Sequence, residues 1–133
     1  MTYRQSETAH PVTGAVTDGE RTAAVLAHVS SLVAMVATAG WLSFVGPLVM
    51  WVLYRNSSTY VRQAAAGAFN FNLGMWVMSI AGWVCFFTLL GIPVALVLWL
   101  VSGVGQVVMH LVGTAKAVRG EPYRYPFQIP VLN

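Results

Sequence analysis

From Gln63 to Ala115 the chain contains no Asp, Glu, Lys or Arg. Drawn as one helix that stretch would be roughly 80 Å long, more than twice a ~30 Å hydrocarbon core, so it must turn back on itself. Gly91-Ile92-Pro93 is the only Gly-Pro punctuation inside it, with Gly suited to end one helix and Pro to open the next. The pattern predicts a helical hairpin with arms Thr59–Leu90 and Pro93–Arg119. Upstream, Thr17-Asp18-Gly19-Glu20 has the spacing of a capping box and leads into a run that is apolar after Arg21, predicting a helix from Asp18 to Gly40. The stretch Trp41–Tyr54 is apolar but broken at Gly46-Pro47. From Pro47 a helix would cover only about 14 Å. A short tilted span, a re-entrant helix and the continuation of one long kinked span all fit it.

The expected fold is therefore all-α: a polytopic helical membrane protein of three to four membrane segments. Residues 1–17 read as a disordered polar tail, 18–120 as the membrane bundle and 121–133 as an extended segment lying at the bilayer interface. Composition agrees: hydrophobic residues make up 57% and charged residues 8%, against about 25% charged in ordinary soluble domains. The net charge of +3 comes from basic residues that flank apolar runs rather than lining one face, which argues for the positive-inside rule and against nucleic acid. If the first region returns to its starting side, all charges share one membrane face, with both termini cytoplasmic in a cell (plasma or inner) membrane. If it crosses once, the tail faces out; the first arrangement is the expectation. No secretory signal peptide precedes the first apolar run, so the first helix is expected to be the uncleaved targeting signal. The single cysteine, Cys85, reads as a small buried hydrophobe.

Small residues line one helix: Ala64 with Ala68, and Gly67 with Gly74. Either a partner interface or packing within the bundle would use them. Gly113-x-x-x-Ala117 suits the bundle. Glu20 with Arg21, and Arg119 with Glu121, read as surface ion pairs of little energetic consequence.

Polar groups in hydrocarbon are costly, so His28, Asn70 and His110 are the candidate site. Their offsets from Arg21, Arg62 and Lys116 place them on the order of 10 Å below the charged face. They could form one polar layer: a structural one, a proton relay, a vestibule for a substrate, or a haem or metal site on the two histidines. No phosphate-binding loop, zinc-protease motif, nucleophile elbow or paired carboxylates are present, so no enzyme, no cofactor and no resident metal are expected.

Several segments together resemble a known family. Glu20-Arg21 leads into Leu26-Ala27-His28-Val29-Ser30; Gly46-Pro47-Leu48 precedes Trp51; Ala68-Phe69-Asn70-Phe71 follows; Gly91-Ile92-Pro93 and Gly120-Glu121-Pro122-Tyr123-Arg124-Tyr125-Pro126 close the set. In order, they are similar to a family of small prokaryotic membrane proteins of unassigned function. That family is related to the Tic-type membrane component of the chloroplast inner-envelope protein import translocon. The resemblance covers about Glu20 to Ile129. It departs from the family in an acid-free loop from Arg55 to Arg62, and in Asn72, where that family often has Gln. It implies a four-segment helical bundle and a role in a membrane export, transport or translocation assembly. Its expected partners are the lipid bilayer and a membrane protein or a second copy. A haem-binding or redox anchor on His28 and His110 is the alternative, and a small-solute channel around Gly103, Gly105 and Gln106 a third reading.

Overall fold

The computed structural model describes residues 14–133; the tail expected over residues 1–17 lies outside the described residues as far as residue 13. Four helices follow in order: α1 (Asp18–Thr38), α2 (Val45–Tyr54), α3 (Thr59–Phe87) and α4 (Ile92–Val118). Both halves of the capping box form. The Thr17 hydroxyl accepts from the Glu20 backbone N–H at 3.2 Å, and the Thr17 N–H donates to the Glu20 carboxylate at 2.9 Å. α1 ends two residues before Gly40, because Ala39 (φ 50°) and Gly40 (φ 88°) both take the left-handed conformation and turn the chain.

That turn decides the ambiguous second segment. Ser31 and Ser43 would be about 18 Å apart along a continuous helix. Instead the Asn72 amide reaches both, at 3.0 Å to the Ser31 hydroxyl and 2.9 Å to the Ser43 carbonyl. The chain has reversed, so the single kinked span is ruled out. α2 runs back beside α1 and α3 without touching α4, with Pro47 in its first turn, where no N–H is needed.

Ser58 caps α3, accepting from Val61 N–H at 3.3 Å, and donates its own proton to Glu20 at 2.6 Å. This ties the start of α3 to the start of α1. The α3–α4 turn differs from expectation in detail: Leu89 (φ 59°) carries the left-handed conformation, while Gly91 sits at φ −84°. Gly91 is needed for closeness instead, since a Cβ there would fall 2.9 Å from the Cys85 carbonyl carbon. At the far end of α4, Gly120 (φ 72°) closes a Schellman turn: its N–H donates to Ala117 and that of Glu121 to Lys116, each at 3.0 Å.

Every Asp, Glu, Lys and Arg among the described residues therefore lies at one end of the bundle. The starts of α1 and α3 share Glu20, and Tyr60 at the start of α3 donates to the backbone around the end of α4. The expected ion pairs are replaced. Arg21 pairs with Asp18 (3.6 Å) and Lys116 with Glu121, because Glu20 is engaged by Thr17 and Ser58 and the Schellman turn folds Glu121 back over Lys116. The Lys116 ammonium in turn holds the Glu121 carboxyl below its usual range.

Packing is inverted relative to a soluble protein. The buried apolar residues are mostly small, including Ala23, Ala24, Ala27, Ala65 and Ala68, while Val36, Phe87, Leu90 and Leu100 stand exposed. Small residues let helices approach closely where lipid, not water, is the solvent. α1, α3 and α4 are each long and apolar enough to cross a membrane, whereas α2 has 10 residues. The protein is a multi-pass helical membrane protein. The small-residue face of α3 is covered from within the chain: a Cβ on Gly67 would meet the Tyr125 ring at 3.4 Å, and one on Gly74 the Phe127 carbonyl at 2.9 Å.

The tightest helix contact yields a test. A Cβ on Gly46 would lie 2.5 Å from the Ser30 Cβ, so Gly46→Ala should cost about 1–3 kcal/mol, read as a lower thermal midpoint in detergent. Adding Ser30→Gly should recover part of the loss; an unchanged loss would show that this approach does not limit the packing of α1 on α2.

Candidate functional site

The site is built on three helices and the C-terminal segment. His28 comes from α1, Asn72 from α3, His110 from α4 and Tyr125 from the coil after α4, and all four are buried. Gly113, one turn from His110, makes the space: a Cβ there would sit 3.0 Å from both His28 Nδ1 and the Tyr125 hydroxyl. Phe71 stacks on the Tyr125 ring at 4.8 Å and closes the layer from the α3 side.

The hydrogen bonds run in one direction. The Asn72 NH₂ group donates to the Ser43 carbonyl and the Ser31 hydroxyl. Its carbonyl therefore faces His110 Nε2, 2.7 Å away, and a carbonyl only accepts, so His110 Nε2 carries the hydrogen. In the neutral ring His110 Nδ1 must then accept, and the Tyr125 hydroxyl donates to it at 2.7 Å. The single phenolic proton is thereby committed. The Tyr125 oxygen accepts from His28 Nδ1–H at 2.6 Å. Burial, reinforced by Tyr123, pushes the Tyr125 phenol well above its ordinary value, so it keeps that proton. The chain of donors is His28, Tyr125, His110, Asn72.

The sequence-predicted trio is split. The structure brings His28 and His110 together, with ring centroids 6.3 Å apart, and places Asn70 elsewhere. Asn70 and Asn72 are two residues apart on a helix, hence about 200° apart around it, so only one can face the histidines. Asn70 instead holds the C-terminal segment. Its carbonyl accepts from Val131 and Leu132 N–H at 3.0 and 2.9 Å, and its NH₂ donates to the Leu132 carbonyl at 2.7 Å. With Trp51 donating to the Asn133 carbonyl at 3.0 Å, this straps the segment across α2 and α3. The strap carries Tyr125 into the bundle, whereas an extended segment lying at the bilayer interface was expected; Tyr125 is 5% exposed.

Of the other residues singled out in the sequence, Glu20 and Gly120 cap helices, Arg21 pairs with Asp18, Gly46 lies against Ser30 of α1, and Pro47 is buried in the first turn of α2. Tyr123 donates to Met109 Sδ at 3.1 Å. Pro126 lies in the strap, between Tyr125 and the left-handed Phe127. Arg124 lines an open polar vestibule of about 460 Å³ at the charged end, together with Arg62, Asn70, Glu121 and Gln128, and His28 forms part of its wall. Asn72 and Tyr125 are the members of this layer that the reading of the sequence did not place there; it had Tyr125 only among the residues of the family motif. The polar and small residues at Ser102, Gln106, His110, Gly113 and Ala117 mark the inward face of α4, but no such spacing singled out Asn72 or brought Tyr125 into the bundle.

Over residues 19–132 the sequence matches the magnetosome magnetite crystal formation protein family (MamF/MmsF). The chain belongs to this family. No curated protein and no solved structure matches it.

Membership of the MamF/MmsF family corrects two expectations. The resemblance to a Tic-type translocon component, and with it the role in export, transport or translocation, is overturned by the match. The residues that carried the resemblance have packing duties in this bundle: Gly46 meets α1, Gly120 ends α4, Tyr125 fills the core. Helical membrane bundles of different function share such needs. The haem alternative also falls. Both Nδ1 atoms hold the same Tyr125 hydroxyl, whose ring fills the space between the histidines, and His110 Nε2 is committed to Asn72.

The network predicts a specific coupling. Asn72→Leu strips partners from His110 Nε2–H and the Ser43 carbonyl, and each group left unpaired costs about 1–3 kcal/mol. Asn72→Leu combined with His110→Leu should therefore cost less than the sum of the singles in thermal unfolding, while Asn70→Leu with His28→Leu should be additive. Additivity of the first pair would mean that the Asn72–His110 bond contributes nothing.

Proposed function

We propose that this chain is a non-enzymatic component of magnetite crystal formation, seated in the magnetosome membrane, with its charged end toward the cytoplasm. Family membership over residues 19–132 carries the reading. The concentration of basic residues at one end supports the orientation, since Arg55, Arg62, Lys116, Arg119 and Arg124 all lie there. The uncharged end, with the turns at residues 39–44 and 88–91, then faces the compartment in which the mineral grows. The exposed Val and Leu face of α4 supports a lipid contact or a seat for a membrane partner or second copy.

Two measurements test this. In a magnetite-forming bacterium stripped of its own members of the family, expressing this chain should restore crystal dimensions seen by electron microscopy; crystals unchanged by its presence would sink the role. For orientation, single cysteines replacing Ser57 and Asn133 in a Cys85→Ala background should react with an impermeant thiol reagent on isolated magnetosomes, while one replacing Leu90 should be protected. The opposite labelling pattern would reverse the topology.

A further inference from the structure

The α1–α2 hairpin is short. Taking Ser31 and Asn72 as level, α1 continues about 10 Å beyond that level and α3 about 22 Å. In the step between them lies a second cavity of about 380 Å³, walled by Trp41, Trp76, Trp83 and Trp99 and floored by Ser79, Ser102 and Gln106. It lies on the uncharged side of the histidine layer, opposite the vestibule that reaches His28. Two polar groups there are unsatisfied. Gln106 is 4% exposed and its Oε1 has no hydrogen-bond partner, and the buried Trp76 Nε1 has none either. Ser79 and Ser102 share a hydrogen bond at 3.1 Å beside them. An unpaired amide oxygen in hydrocarbon is costly, and a polar cavity of this size has room for water.

Gln106 and His110 are four residues apart on α4, neighbours on one face with Cβ atoms about 5–6 Å apart. Two vestibules thus approach the same buried histidine pair from opposite ends, and one helical turn separates the far one from His110. We infer that the bundle is a slow proton path, in which protons pass between the two vestibules through Gln106-bound water, His110, Tyr125 and His28.

The steps balance without electrons moving. For a proton leaving the uncharged end, water at Gln106 protonates His110 at Nε2 once that ring, turned out of its contacts, has taken a proton from the cavity water on Nδ1 and returned the one it held on Nε2. His28 changes tautomer in the same way against the vestibule at the charged end. The Nδ1 hydrogen passes to the Tyr125 oxygen as the Tyr125 hydroxyl hydrogen passes to His28 Nδ1. His28, already holding hydrogen on Nε2, releases that proton to the vestibule at the charged end. One N–H or O–H bond breaks for each one formed. This leaves both rings in the tautomers observed, and before the next passage each must again take up a proton from water at one nitrogen and release one from the other. In the resting arrangement the Asn72 carbonyl holds His110 Nε2–H and keeps the path closed. The groups facing the wire from every side are neutral (Phe71, Tyr123, Asn72 and Ser31), while the charged Arg62, Glu121 and Arg124 line the near vestibule.

The link to mineral rests on the proposed function: each oxide ion taken from water into an iron oxide lattice releases both of its protons, and a closed compartment must lose them. The test does not depend on that link. Purified protein in liposomes holding a trapped pH dye, driven by a potassium gradient with valinomycin, should pass protons faster than protein-free vesicles. Gln106→Leu removes no hydrogen bond of the bundle and should keep the thermal midpoint, yet fall to the protein-free rate. Leu53→Ala, exposed on α2 and lining neither vestibule, should keep the full rate. Wild-type vesicles no faster than protein-free ones, or Gln106→Leu at full rate, would overturn the path. Crystals that still depend on the chain in cells would then leave its role in mineral formation standing.

Discussion

The Asn72 side chain joins more of this molecule than any other polar group. Its NH₂ group ties α1 and the α1–α2 turn together, and its carbonyl fixes the tautomer of His110 on α4. In lipid there is little hydrophobic force between helices, so close packing and a few satisfied polar bonds must specify the arrangement. Such contacts average only ~0.6 kcal/mol in membranes. The greater effect is the penalty for leaving any of these buried groups unpaired. Register between α1, α3 and α4 follows from that penalty, and with it the meeting of the two histidines.

The C-terminal segment completes the bundle. Without Tyr125 the two Nδ1 atoms would face each other across a gap that Gly113 and Gly67 leave open. The segment cannot place Tyr125 by itself, having no regular structure; Asn70, Trp51 and Gln128 hold its backbone. The small residues of α3 and α4 are therefore explained inside the chain: they are the imprint of a strap and an aromatic ring. A family associated with mineral formation thus has, in this member, a membrane core whose polar features point inward.

Much of the fold was legible in the sequence because lipid simplifies the rules. A charge-free run much longer than a bilayer must fold back, and Gly91-Ile92-Pro93 marked where; Thr17 to Glu20 marked the first helix start through local hydrogen bonds. The site was half legible. Histidines in an apolar run are conspicuous, and their offsets from the flanking charges placed them at similar depth. Asn70 was as conspicuous as Asn72, and depth alone could not say which of the two faced inward.

The sequence by itself determined three long apolar helices and their approximate ends and favoured the gathering of charge at one end, since those depend on local hydrogen bonding and on the cost of charge in hydrocarbon. Tertiary structure decided that α2 turns back, that Asn72 faces His110, and that Tyr125 leaves the interface to bridge the histidines. These outcomes depend on rotation about helix axes and on contacts between residues as much as 97 positions apart. No local preference encodes them: a polar side chain in lipid seeks any partner within reach, and only the packed bundle determines which partner that is.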